Sequence, residues 1–347
     1  MANRRRPGSR PLAQELSVEH RTWVVENLIA GVEPDVLVSQ LAGKVSTKRA
    51  RTEIRSIMKS ELLPVCARLA RRARQLELVA ALGRAHLRHE PDATSVERRT
   101  IPGAEEFFRR YWAWQRPVVF VDATADWPAR TRWTPEFFRD TFARETIEVT
   151  AGRDADPFYD MNYRAHRRRM RVSAFIEQVL AAGTSNDLYM VSNNLTMKRP
   201  AFKKLLADVR PPADLFRKLT PAATSLWIGP AGTVTPLHHD TTNILFCQIY
   251  GRKRFELISP QETALVAEPV RGFYSGVDIE RIDESSHPAV RAMLVKRVVV
   301  GPGDALFIPA GWWHRVTSLD VSISFSLLGF RRPNDFDWYR PGHENTA

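Results

Sequence analysis

Short apolar segments separated by glycine and proline fill the second half of the chain. Residues 244–250, 254–258 and 297–300 are rich in β-branched and aromatic side chains, and Gly251 and Pro260 interrupt them. Strands of this length, punctuated in this way, are typical of a β-sandwich or barrel. The pattern therefore predicts a β-rich domain in the second half of the chain.

The first 90 residues have a different pattern, in which apolar side chains recur at helical spacing. A first helix carries Trp23 and ends near Gly31, a second covers residues 34–41, and Ser46 can cap a third. A longer helix starts near Pro64, a residue that suits a first helical turn, and carries Val65, Leu69, Leu76 and Val79. We predict an all-α domain over residues 12–90.

The helical domain has two interpretations. Three short helices followed by a long one could form a helix-turn-helix that binds DNA. A recognition helix presents polar side chains to the bases, and Lys48, Arg49, Arg51 and Arg55 alone do not establish one. We favour a packing or dimerisation module, with a homodimer as the expected assembly.

Four segments follow from these patterns. Residues 1–11 form a basic, disordered tail and residues 12–90 the helical domain, while the polar break around residues 91–100 is the linker and residues 101–347 form the catalytic domain. Within that last domain we predict helices over 102–114, 172–182 and 200–219, and strands over 116–121, 147–150, 187–191 and 224–228.

Composition and charge narrow the class of protein. The chain has 347 residues, no apolar run long enough to cross a bilayer and no apolar segment after its basic N-terminus. Cys66 and Cys247 lie in apolar surroundings, so we expect two buried, reduced cysteines and a cytoplasmic protein. The net charge of +12 and the arginines of residues 164–171 favour an acidic peptide as partner, with nucleic acid as the alternative.

Three residues carry the candidate chemistry. His238 and Asp240 are two positions apart, so an extended backbone points them to the same side and turns His239 away. His314 follows a turn and an apolar run and can arrive from another strand. Two imidazoles and one carboxylate form the facial triad that holds non-haem Fe(II).

Four ordered motifs add a resemblance to a known family. Residues 235–240 (Thr-Pro-Leu-His-His-Asp), 251–254 (Gly-Arg-Lys-Arg), 301–304 (Gly-Pro-Gly-Asp) and 308–314 (Ile-Pro-Ala-Gly-Trp-Trp-His) resemble the cupin-like branch of the JmjC hydroxylases. The likeness extends over about residues 101–330. It implies an α+β protein whose double-stranded β-helix follows the helical domain, and which uses Fe(II), 2-oxoglutarate and O2.

The same resemblance assigns the cosubstrate residues. Lys253 is the cation for the C5 carboxylate of 2-oxoglutarate, Thr235 is its hydroxyl partner, and Tyr189 faces the cosubstrate. Asn243 and Ser326 are further pocket candidates that depart from the family pattern. The family often carries asparagine one position after Asn243, where this chain has Ile244, and asparagine is also common at the place of Ser326.

The expected reaction is hydroxylation of an unactivated C–H bond on a peptide or protein side chain. Related enzymes also demethylate lysine or oxidise a modified tRNA base, so a nucleic-acid substrate is the first alternative. A regulator that binds DNA through its helices and senses 2-oxoglutarate without turnover is the second. The intact triad and Lys253 favour catalysis.

Overall fold

The computed structural model describes residues 15–90, 93–191, 195–266, 273–280 and 293–334. The predicted basic tail, residues 1–11, lies outside them. The chain forms two compact units, one up to Gly83 and one from Arg84 onward. The boundary falls inside the long helix rather than in the polar segment after it.

Four helices form the first unit, and their ends follow the capping residues in the sequence. The Ser17 and Ser46 hydroxyls accept hydrogen bonds from backbone amides of the first and third helices, and Gly31 ends the first helix at φ 89°. A small core, which includes Val24, Leu37 and Ile54, lies between them. The helices are α1 (Val18–Ala30), α2 (Pro34–Gln40), α3 (Thr47–Met58) and α4 (Leu62–Arg88).

Helix α4 differs from the prediction in how its apolar side chains are placed. None of its residues is buried, and seven large apolar side chains are exposed: Leu62, Val65, Leu69, Leu76, Leu78, Val79 and Leu82. The apolar spacing predicted the helix correctly, but it does not show whether other residues cover the apolar face of α4. For the same reason the prediction of a buried Cys66 was wrong, because this thiol is exposed on α4 while Cys247 is buried. Dimerisation through this unit stays a prediction.

The second unit is built from β-sheets with helices beside them. A six-stranded sheet has the order β1-β2-β10-β7-β12-β5, a four-stranded sheet has the order β6-β11-β8-β9, and β3 pairs with β4. The strands are β1 (Glu97–Arg99), β2 (Val118–Phe120), β3 (Thr146–Thr150), β4 (Arg167–Arg171), β5 (Thr224–Gly229), β6 (Val234–His238), β7 (Ile244–Tyr250), β8 (Lys253–Ile258), β9 (Val295–Val300), β10 (Ala305–Ile308), β11 (Trp313–Ser318) and β12 (Ser322–Leu327).

Two apolar clusters flank the six-stranded sheet. One cluster, with Val119, Phe246 and Leu306 from this sheet and Phe255 and Leu257 from the four-stranded sheet, fills the space between the two sheets. The larger cluster packs the other face of the six-stranded sheet against the helices. Those helices include α5 (Ala104–Phe107), α6 (Pro128–Arg132), α7 (Pro135–Thr141) and α9 (Val172–Ala181). Helix α8 (Tyr163–His166) lies before β4, and α10 (Thr263–Val266) lies after β8. The unit therefore has mixed α and β content, as predicted.

The local predictions differ from the structure at four places. The helix over 102–114 is α5 followed by one π-helical turn, Phe108–Trp112, and the helix over 200–219 is only a 3₁₀ segment, Pro200–Asp208. Pro211 and Pro212, which lack an amide hydrogen, follow that segment and oppose its continuation. Residues 187–191 make isolated bridges instead of a strand, and β1 lies inside the predicted linker.

No helix in the described ranges has the length and apolar character needed to cross a membrane.

Candidate active site

The two histidines and the aspartate of the predicted triad meet at one end of the four-stranded sheet. His238 is the last residue of β6, and His314 on the adjacent strand β11 lies directly opposite it in register. Asp240 follows two residues after β6, and its Oδ2 lies 4.0 Å from His238 Nε2 and 3.5 Å from His314 Nε2. All three ligand atoms lie within 4.8 Å of one another. We call these residues the metal triad.

The outer nitrogen of each imidazole is fixed by the backbone. His238 Nδ1 lies 2.8 Å from the Pro236 carbonyl oxygen, and His314 Nδ1 lies 2.9 Å from that of Trp312. A carbonyl oxygen only accepts hydrogen bonds, so each Nδ1 carries the proton and each Nε2 keeps its lone pair for a metal. Burial also lowers the pKa of His314, which favours the neutral imidazole that a metal requires.

His239 lies away from the metal triad, as the alternation of an extended chain predicts. Its ring packs edge-on against Trp313, with the ring centres 4.6 Å apart. Burial lowers the pKa of His239 and keeps it neutral among aromatic rings. The side chain thus supports the wall of the site.

A β-bulge lets Thr235 face the same cleft as His238. Residues three positions apart on a regular strand point to opposite sides. Here the three steps from Thr235 to His238 lie opposite only two steps on β11, from Val316 to His314, so the register shifts between them. Thr235 and His238 consequently line one cleft together.

Lys253 begins strand β8 and is almost completely buried, with 1% of its surface exposed. Its Nζ lies 2.7 Å from the Tyr189 hydroxyl, and the Thr235 side chain lies near that hydroxyl. The two neighbouring arginines pair with carboxylates outside this group: Arg252 with Asp320 at the surface, and Arg254 with the buried Glu256 and with Glu280. We call Lys253, Tyr189 and Thr235 the lysine pocket.

A second buried cation, Arg153, lies beside the lysine pocket and was not predicted from the sequence. Its guanidinium is completely buried, donates to the Val234 carbonyl oxygen at 2.7 Å and lies 5.2 Å from the centre of the Tyr189 ring. Burial, together with the smaller effect of the Arg153 charge, lowers the pKa of Lys253 to about 7. Arg153 contacts Asp160, and both residues lie outside the strands, so no local sequence pattern marks this pair.

The two remaining candidates differ in what they contact. Asn243 is buried, and its side chain bonds Ala310 N and Asn334, so it braces the turn before His314. Ser326 lines the cleft and accepts a hydrogen bond from Trp227 Nε1 at 3.1 Å. The geometry therefore brings Ser326 to the cleft and gives Asn243 a positioning role.

A cleft of about 410 Å³ lies beside two of the three triad residues, His238 and Asp240, and we call it the iron cleft. Its wall includes Thr235, His238 and Asp240, together with Asp160 and Tyr274, which sequence reasoning missed. Tyr274 stacks on the His238 ring with 5.5 Å between ring centres. Burial raises the pKa of Asp160, and the nearby Arg153 guanidinium opposes that effect.

The residues present fit Fe(II) and 2-oxoglutarate. Two Nε2 atoms with fixed tautomers and one carboxylate match the facial triad of non-haem iron enzymes. Among the described residues, Lys253 pairs with no carboxylate and has the Tyr189 hydroxyl as its hydrogen-bond partner. A buried ammonium without a carboxylate partner is stabilised by an anionic ligand such as the C5 carboxylate of 2-oxoglutarate.

Comparison with known proteins agrees with this geometry. A family model described as a cupin-like domain matches residues 104–328. The chain is similar to lysine-specific demethylase 8 of Xenopus tropicalis, with 29% identity over 67% of this chain and 52% of that protein. It is also similar to two Arabidopsis thaliana proteins. Lysine-specific demethylase JMJ30 is 30% identical over 67% of this chain and 54% of its own length, and arginine-specific demethylase JMJ20 is 25% identical over 64% and 54%.

The chain spans about half the length of these curated relatives. The matched residues include the metal triad and the lysine pocket, and the fold around them is cupin-like. The chain belongs to the cupin-like domain family, in its JmjC branch of Fe(II)- and 2-oxoglutarate-dependent oxygenases.

Proposed function

We propose that this protein is a hydroxylase that oxidises a C–H bond of a protein side chain, on a double-stranded β-helix. The observation that carries the proposal is that the metal triad lies near a buried lysine, Lys253, which pairs with no carboxylate among the described residues. His314 and Lys253 lie on neighbouring strands of one sheet. A metal-binding protein without this cosubstrate has no use for an ammonium buried at such cost.

Each part of the cleft has a separate task in this proposal. His238, Asp240 and His314 would hold Fe(II), and Lys253, Tyr189 and Thr235 would hold the C5 carboxylate of 2-oxoglutarate. Iron with 2-oxoglutarate and O2 supplies the oxidising chemistry when bound. The protein orients the cosubstrate, excludes water from the lysine pocket and positions the target C–H bond at the open side of the metal triad.

The relatives support a protein substrate. Two are named lysine-specific demethylases and one is named an arginine-specific demethylase. Hydroxylation of an N-methyl carbon and of a side-chain carbon begin with the same C–H cleavage. The two outcomes differ in product: demethylation removes a methyl group as formaldehyde, whereas stable hydroxylation adds one oxygen atom.

The experiment that tests the proposal measures succinate from the anaerobically iron-loaded protein after addition of 2-oxoglutarate and O2. Peptide pools and structured RNA are supplied separately, and products are analysed by mass spectrometry. We expect a peptide to stimulate succinate and to become one oxygen atom heavier, with no response in Asp240→Ala. Stimulation by RNA alone would assign a nucleic-acid substrate. Tight 2-oxoglutarate binding without succinate from either pool would favour the sensor.

A further inference from the structure

Strand β4 forms one edge of a two-stranded sheet and, among the described strands, pairs only with β3. Its sequence, Arg-Arg-Arg-Met-Arg, places four exposed arginines along that edge. The strand directly follows helix α8, whose first residue, Tyr163, lines the iron cleft. The four residues of α8 span about 6 Å, so β4 begins close to the iron cleft.

The backbone of β4 offers hydrogen bonds along its outer edge. The His166 carbonyl oxygen before the strand and the Val172 amide after it both hydrogen-bond to the segments that flank β3. Hydrogen bonds between antiparallel strands recur at every second residue, so the even-numbered residues of β4 bond to β3. The amides of the odd-numbered residues, Arg167, Arg169 and Arg171, therefore point to the open edge. The Arg169 carbonyl oxygen points the same way.

Three arginine side chains of β4 share its solvent face. Met170 packs against the larger apolar cluster, so the alternation of the strand turns Arg167, Arg169 and Arg171 to the opposite face. All three are exposed. Arg168, on the Met170 side, folds back and donates to the Arg167 carbonyl oxygen at 2.8 Å. The solvent face thus presents a row of three guanidinium groups at every second residue.

This solvent face carries more positive than negative charge. Glu148 is the one carboxylate of β3, and it pairs with Arg167 and lies opposite Arg169 in register. Within the described parts of the chain, Arg169 and Arg171 form no ion pair. Charged side chains usually prevent a further strand from pairing at an edge. The same charges attract a strand whose side chains are acidic.

We propose that an extended acidic segment of the protein substrate binds as an additional strand along β4, with carboxylates at alternate positions facing Arg167, Arg169 and Arg171. Alternate residues of a strand point to one side, so acidic side chains at positions i, i+2 and i+4 meet the three arginines together. This inference rests on the proposed function and gives a binding mode to the acidic partner that the net charge of +12 favours. Residues next to that segment can then enter the iron cleft.

A nucleic acid fits this edge less well than a peptide does. Phosphate groups only accept hydrogen bonds, so they supply no donor for the outward carbonyl oxygen of Arg169. Single-stranded nucleic acids also bind through bases that stack on aromatic side chains, and β4 has none. A peptide strand supplies both donors and acceptors at the spacing of the edge.

The first test uses a fluorescent nine-residue peptide in which glutamate alternates with valine and threonine. Binding to the full chain with Fe(II) and 2-oxoglutarate is measured by anisotropy under anaerobic conditions. We expect this peptide to bind about tenfold or more tightly than the same peptide with glutamine in place of glutamate, because three exposed ion pairs form.

A second pair of peptides tests the backbone without changing the charge. One carries N-methyl groups on the amides of its glutamates, and the other carries them on the amides of its valines and threonines. A strand turns only alternate amides to its neighbour. Methylation of one set should therefore weaken binding by about tenfold, whereas methylation of the other set should have little effect.

Three variants locate the site. Arg169→Gln should weaken binding of the glutamate peptide by about threefold, the effect of one exposed ion pair. Arg169→Pro should weaken it further, because proline also removes the outward amide while leaving the pairing with β3 intact. Arg210→Gln removes an exposed arginine outside β3 and β4 and should leave the affinity unchanged. Thermal melts of all three variants check folding.

Two results with the peptides would overturn the inference: equal binding of the glutamate and glutamine peptides, or equal effects of the two sets of N-methyl groups. A single-stranded RNA that binds more tightly than the glutamate peptide and is weakened by Arg169→Gln would also overturn it, by assigning the edge to nucleic acid. Failure of the proposed function is a separate outcome, because a protein that forms no succinate would still show Arg169-dependent peptide binding.

Discussion

The metal triad and the lysine pocket both draw residues from the four-stranded sheet but are held in different ways. In the metal triad, each imidazole nitrogen turned away from the metal already has a backbone carbonyl as its partner. In the lysine pocket, Lys253 is buried beside a second cation, Arg153, and has the Tyr189 hydroxyl as its hydrogen-bond partner. The first site is preorganised without its ligand, whereas the second carries a charge that its ligand must neutralise.

This difference predicts different responses to substitution. A preorganised metal site fails completely when one ligand is removed, because three groups on one face are the minimum set. The lysine pocket should respond gradually to substitution, because its affinity for an anion changes with the positive charge that remains. The predictions below separate these two behaviours, from the largest expected effect to the smallest.

Removing a metal ligand should have the largest effect. We expect Asp240→Ala or His238→Ala to lower iron affinity by more than about a hundredfold, beyond the loss that is usual for residues that only orient ligands. Iron content after gel filtration and succinate formation measure the result. His239→Ala is the matched control, because this residue lies between the two ligands and packs against Trp313. Retention of one equivalent of iron by Asp240→Ala would contradict the assignment.

Removing the charge of the lysine pocket should have a smaller effect. Lys253→Met should raise the 2-oxoglutarate concentration required for half-maximal succinate formation by roughly tenfold or more, because a charge-assisted hydrogen bond contributes about 1.5–3 kcal/mol. Iron content should not change. Arg252→Met is the control, since its side chain is paired with Asp320 at the surface. An unchanged requirement in Lys253→Met would mean that another group holds the carboxylate.

The sequence was informative about the metal triad for a physical reason. Its three ligands lie at or beside the ends of β6 and β11, so short motifs of two to four residues determine where they point. Lys253 was assigned by the resemblance of residues 251–254 to the family motif, and without that motif it would be interpreted as a surface lysine.

Contacts between distant loops could not be predicted in the same way. Arg153, Asp160 and Tyr274 meet only after the chain folds, and no local pattern marks them. The apolar spacing of α4 is a similar case, because it predicted the helix correctly but not the exposure of Cys66. Local sequence determines which way a side chain faces, whereas its neighbours depend on the complete fold.

The pH dependence of cosubstrate affinity tests the charge of Lys253. Its pKa in the free protein is lowered to about 7, chiefly by burial. Binding of an anion favours the protonated form, so the affinity should be highest below pH 7 and fall by at most about tenfold per pH unit above it. Binding of 2-oxoglutarate to the anaerobic protein is measured at several pH values. The pH at which the affinity begins to fall is called the break. Lys253→Arg should bind without the break, because arginine stays charged.

The smallest expected effect comes from Arg153, whose positive charge adds to the lowering of the Lys253 pKa. Replacing it with methionine, Arg153→Met, removes that charge but leaves Lys253 buried. The break in 2-oxoglutarate affinity should therefore move to higher pH while the affinity at low pH changes less than in Lys253→Met. Arg254→Met is the control, because this arginine pairs with Glu256 and Glu280 outside the lysine pocket. A break that stays in place in Arg153→Met would show that burial alone sets the pKa of Lys253. The two cations would then act independently, and the role of Arg153 would be limited to holding Val234 and Asp160.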